Sequence, residues 1–130
     1  MRNAKAVKAT IRSEKGFYIG DVCVVLDDNV YTNVWGRNGG YLDGEYRVGN
    51  GLRFAVGSTA NGSGVYMDDN GDIYAVGSGA IGLVPLELVA DLETAAAYGQ
   101  VVQGVREATM NENGGDFVFV LSGNRIHIET

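Results

Sequence analysis

Along residues 54–89 the chain alternates short apolar runs with clusters of Gly, Ser, Asn and Asp: FAVGSTANGSGVYMDDNGDIYAVGSGAIGLVPLELV. Runs this short cannot build amphipathic helices. They match strands, and the glycines between them supply the positive-φ or close-approach positions that tight turns need. The pattern predicts strands over 52–56, 65–68, 73–76 and 80–84. A two-residue Asn70-Gly71 hairpin turn and a stop at Pro85 complete it.

The same reading extends outward. Residues 5–11 place Val7, Ala9 and Ile11 on one face of a strand and Lys8 and Thr10 on the other. FYIGDVCVVL, residues 17–26, is almost wholly apolar after Asp21 and predicts a central strand with Cys23 in the core. Asp27-Asp28-Asn29 offers a cap for a short helix carrying Val30, Tyr31, Val34 and Trp35, closed by Gly36. Residues 36–51 are rich in glycine and read as a long loop with a short strand at 45–48. Asp91 caps a second short helix through Tyr98, and Gly99 closes it. Residues 101–110, 117–121 and 125–129 then read as a three-stranded meander.

With no βαβ rhythm, these elements predict one mainly β domain over 1–130, with α+β as the variant: a small barrel or two packed antiparallel sheets with one or two short helices. A chain of 130 residues, 45% hydrophobic, can bury such a core without metal or disulfide support. Cys23 is the sole cysteine, so neither an internal disulfide nor a cysteine-based zinc site can form within one chain. The net charge of −6 opposes binding to polymeric nucleic acid or an anionic membrane. The cluster Arg2, Lys5, Lys8, Arg12 and Lys15 reads as a solvated strand edge. No apolar run approaches the ~20 residues that span a bilayer, and no signal-peptide core precedes the strands, so a cytoplasmic location is expected.

Candidate chemistry is sparse. Asp68-Asp69-Asn70-Gly71-Asp72 has the oxygen-rich start of a calcium loop but lacks its downstream bidentate Glu, and reads as a hairpin turn. Residues 58–64 could form an anion nest of backbone N–H groups, yet no Lys and no helix follow as in a phosphate loop. His127, the single histidine, sits between two isoleucines and points outward, while Cys23 is flanked by valines that keep a thiol protonated. A nucleophilic dyad is therefore disfavoured. Carboxylate chemistry would draw on Asp21, Asp43 or Asp68. The remaining signal is aromatic: Tyr31, Trp35, Tyr41, Tyr46 and Tyr66 flank glycine-rich segments, where a ring can stack on a base or sugar.

The segments IGDVCVVL at 19–26, Val34-Trp35-Gly36, STANGSGVY at 58–66 and IGLVPLEL at 81–88 resemble a group of short bacterial and phage proteins with no assigned function. The resemblance spans most of residues 17–89. It implies a small β-rich fold and a phage setting, and no reaction. That group carries acidic residues where Ser63 stands and near Gly77 or Ser78, so no site depending on those carboxylates transfers to this chain.

Together these features predict a non-catalytic protein, without metal or cofactor, that binds a small polar, nucleotide-like ligand. The expected ligand-binding residues are Tyr41, Asp43, Ser58, Thr59, Asn61, Gly62, Gly64, Tyr66 and Asp68. Two alternatives stay open: a homo-oligomeric or partner-binding protein using residues 117–121 as an interface, and a hydrolase working through the three aspartates.

Overall fold

The computed structural model describes residues 6–130. Strand β1 (Val7–Arg12) buries Val7, Ala9 and Ile11 and turns Lys8, Thr10 and Arg12 to solvent, as its alternation predicts. Arg2 and Lys5 of the basic cluster lie outside the described residues. In chain order there follow β2 (Gly16–Asp21), β3 (Gly44–Arg47), β4 (Arg53–Ser58), β5 (Gly64–Met67), β6 (Ile73–Val76) and β7 (Ala80–Pro85). The last four strands are β8 (Gln100–Gln103), β9 (Glu107–Asn113), β10 (Asp116–Leu121) and β11 (Asn124–Glu129).

All pairing between these strands is antiparallel, in three sheets ordered β1-β9-β10-β11, β3-β4-β7-β2-β8 and β5-β6. None closes into a barrel, so of the two predicted architectures the packed sheets are the one adopted.

The five-stranded sheet is the middle layer, which explains why β2 and β7 are apolar on both faces. On one face Phe17, Ile19, Ala55, Ile81 and Leu83 meet Met110, Phe117 and Phe119 of the four-stranded sheet. On the other, Tyr18, Phe54, Val56 and Val84 meet Val22, Val25, Val30, Trp35 and Ala95 of the helical segments. Fully burying each such large side chain contributes about 1.5–3 kcal/mol. No helix among the described residues is long and apolar enough to cross a membrane.

Two segments depart from the reading as single strands. Apart from a lone bridge between Leu26 and Val89, the 17–26 run pairs only as far as Asp21. There the carboxylate accepts from Cys23 N at 2.9 Å and caps a 3₁₀ turn over Val22–Val24. The valines of that turn face the helical layer, and Cys23 is half-buried instead of central. Gly82 makes this possible, because a Cβ there would stand 2.3 Å from Val22 Cγ1. The 101–110 run divides at Gly104, where φ is +80°, and its halves join different sheets. The meander consists of β9, β10 and β11 alone.

Two turns also differ in detail. The helix predicted to stop at Gly36 continues as a π-helix over Val30–Asn38. The β5–β6 connection is a longer loop in which Asp68 N donates to Asp72 O at 3.0 Å and Gly71 adopts φ +88°. This is the three-residue hairpin class, with a glycine in the left-handed position, in place of the two-residue primed turn. The second helix, α1 (Leu92–Tyr98), starts as read, with Asp91 accepting from Glu93 N.

Candidate functional site

The π-helix and the residues after it build an aromatic cluster. Tyr31 and Trp35 meet edge to face with centroids 5.6 Å apart, and Tyr41 closes on both at 5.3 Å. Trp35 is buried and anchored by its indole N–H, which donates to Leu42 O at 3.0 Å. Tyr41 reaches back over the helix because its backbone adopts φ +57°, a region rare for a residue with a Cβ. Gly36 leaves the room, since a Cβ there would lie 2.6 Å from Tyr41 Oη. Tyr41 remains 46% exposed, so part of its ring is offered to solvent. π-helical turns occur frequently at functional sites, because the widened turn re-aims side chains.

These three rings wall a cleft of about 330 Å³, lined otherwise by Cys23, Ser58, Gly62, Ser78, Gly79 and Ala80. Behind the lining lie two buried carboxylates. Asp21 Oδ1 accepts from Ser78 Oγ at 2.7 Å and from Cys23 N, while its Oδ2 accepts from Ser78 N at 3.1 Å. Asp43 Oδ1 accepts from Ser58 Oγ at 2.5 Å. Each serine thus gives its single proton to a carboxylate, which leaves hydroxyl lone pairs as acceptors. Ala80 N already uses one on Ser78.

The Cys23 thiol sits within hydrogen-bonding reach of Ser78 and Tyr31. Burial pushes its pKa up, against the lowering effect of those two neighbours. Tyr31 is pushed up to about 12, first by its hydrogen bond with Cys23 and then by burial. Both groups are protonated at neutral pH, so the cleft presents a neutral thiol and phenol in place of a thiolate nucleophile. No Lys or Arg among the described residues lines it.

The structure disperses the nine expected residues. Tyr41, Ser58 and Gly62 line the cleft and Asp43 stands behind Ser58. Thr59 is buried and shapes the rim, donating through Oγ1 to Gly62 O at 2.6 Å and through its N–H to Gly79 O at 2.9 Å. Asn61 donates to Thr130 O and Gly64 opens β5. Tyr66 lies against the core between the sheets, its hydroxyl donating to Gly62 O at 2.6 Å. Asp68 belongs to the hairpin tip, where it accepts from Asn70 N, Asp72 N and Tyr74 Oη. The 58–64 turn spends its first N–H groups on Gly79 O and Thr130 Oγ1, leaving them unavailable to a nest. The three aspartates proposed for acid–base work are each engaged in holding turns or serines.

Cys23, Ser78, Gly79 and Ala80 are the lining residues that the spacing did not reveal. An Asp ahead of a short apolar run is a capping signal, and reading Asp21 that way would have ended β2 and brought Cys23 out of the core. Ser78 between two glycines carries no such signal. No protein-family model matches the chain, nor does any curated protein or solved structure.

Proposed function

We propose that the chain is a non-catalytic binding protein whose cleft takes a small polar, nucleotide-like ligand, in the manner of a phage protein that sequesters a signal. The aromatic wall of Tyr31, Trp35 and Tyr41, set beside the row Ser58, Ser78 and Cys23, carries this reading. A flat ring stacks on the exposed part of Tyr41, and the serine lone pairs accept from its amino or hydroxyl groups. Phosphates on such a ligand stay at the solvent mouth, because no Lys or Arg among the described residues lines the cleft and two carboxylates stand behind it.

Trp35 is the only tryptophan, so its emission reports on this cleft alone. Titration with ribonucleosides and ribonucleotides is expected to shift Trp35 emission saturably and to raise the melting temperature. Unchanged emission and melting across the panel would reject a nucleotide-like ligand.

A second reading rests on β5–β6, where Val65, Met67 and Ile73 share one face and are 69%, 58% and 62% exposed. Apolar surface of this kind marks contact sites. The interface expected at residues 117–121 is less suited, because Phe117, Phe119 and Leu121 are fully buried in the core. In this reading the chain associates through the hairpin. A sedimentation coefficient that rises with concentration, and falls to the monomer value in Ile73→Lys, is the expected result.

A further inference from the structure

Outside the cleft, β10 and β11 set Asp116 opposite Glu129, with His127 two residues before Glu129 on the same face. Their ligand atoms all lie within 4.8 Å of one another, in a concavity shared with Ala60, Gly115 and Thr130. The imidazole is held from both sides. Nε2 is 2.6 Å from Asp116 Oδ1, and Nδ1 is 3.1 Å from Oδ2 of Asp69, which comes from the β5–β6 hairpin.

We infer that Asp116, His127 Nε2 and Glu129 form a binding site for a divalent first-row transition ion, with Asp69 orienting the imidazole from behind. A carboxylate on Nδ1–H fixes the tautomer that leaves the Nε2 lone pair for a metal, the arrangement by which ligating histidines are held. Charge points the same way. Three carboxylates surround one imidazole, and none of them forms an ion pair with Lys or Arg among the described residues. A protonated ring bridging Asp69 and Asp116 accounts for two of these carboxylates and leaves Glu129, which has no side-chain hydrogen bond or ion pair among the described residues.

A divalent ion uses all three ligands. It takes the place of the Nε2 proton, which leaves to solvent, and it offsets one more charge than that proton did. One imidazole nitrogen with two carboxylate oxygens and open positions suits Zn²⁺, Mn²⁺ or Co²⁺, whereas Ca²⁺ prefers oxygen ligands throughout.

Calorimetric titration of the tag-free chain with Zn²⁺, paired with Co²⁺ absorption, tests this site. The expected result is one ion per chain with nitrogen and oxygen ligation. Affinity falls at least tenfold in Glu129→Gln, further in His127→Gln, and about 10- to 100-fold in Asp69→Asn. Glu129→Gln is the decisive variant, because it leaves the Asp69–His127–Asp116 clamp and the fold in place. Wild-type affinity in Glu129→Gln, no heat of binding in the wild type, or a thiolate-to-cobalt band placing the ion at Cys23 would each overturn the proposal.

Discussion

Tyr41 combines an unfavourable backbone with an exposed ring. Its φ of +57° costs a residue with a Cβ roughly 1–2 kcal/mol, a cost that glycine avoids. Tyr41→Gly therefore removes the ring and the strain together. We expect its melting temperature to stay near that of the wild type while the ligand-induced change in Trp35 emission disappears. Gly36→Ala tests the same cluster from the opposite side. The added Cβ meets the far end of the Tyr41 side chain, so the ring moves while the fold stays. Altered Trp35 emission with a urea midpoint close to wild type is the expected signature, and unchanged emission would show that Tyr41 does not rest on the helix. Tyr41 was legible as an aromatic in a glycine-rich loop. Its direction was not, because that depends on a positive φ at one residue and a missing Cβ at another, five positions away.

Hairpin β5–β6 shows how far alternation alone carries. Tyr66, Tyr74 and Val76 turn inward and Val65, Met67 and Ile73 outward, as period-two reading demands. The Asp-rich tip is fastened by Asp68, which is buried and accepts from Tyr74 Oη at 2.6 Å and from two turn N–H groups. Asp68→Ala leaves the buried Tyr74 hydroxyl without that acceptor, and we expect a loss of about 2–3 kcal/mol in urea unfolding. Adding Tyr74→Phe to Asp68→Ala removes the donor as well, and the double variant is expected to lose less than Asp68→Ala alone.

Glu87 fastens another connection, between the β1–β2 turn and the residues after β7. Burial on its own would raise the Glu87 carboxyl, but Ser13 Oγ at 2.5 Å and Glu14 N at 2.8 Å hold it below the ordinary value of 4.5. A carboxyl with a lower pKa folded than unfolded contributes stability that is present above the unfolded value and lost as pH falls through the folded one. The gap in melting temperature between wild type and Glu87→Gln should be full at pH 7 and shrink below about pH 4.5. A gap independent of pH would contradict the assignment.

Element boundaries are hidden where one run of residues has two possible uses. FYIGDVCVVL looks like one strand because burial on both sides gives a strand and a core-facing turn the same composition, and residues 101–110 look like one because the pieces on either side of Gly104, β8 and β9, are both strands. Only the Asp21 cap and the positive φ of Gly104 separate them.

At the scale of the molecule, the layering of helices on a five-stranded sheet on a four-stranded sheet sets where the candidate site falls. β4 ends where β7 begins, with Ser58 paired to Ala80, and the π-helix brings its rings to that end of the sheet. The mainly β class followed directly from periodicity and turn residues. The convergence of 23, 31–41, 58–62 and 78–80 did not, because it depends on long-range pairing that no local pattern encodes. Whether the cleft, with its three rings and carboxylate-held serines, holds a ligand is read out by native mass spectrometry. The protein is incubated with the small-molecule fraction of a bacterial extract, desalted and weighed without denaturation, beside Tyr41→Gly. One retained small molecule on the wild type and none on the variant is the expected result. A wild-type chain that emerges at its bare mass, or a variant that retains the same molecule, would contradict it.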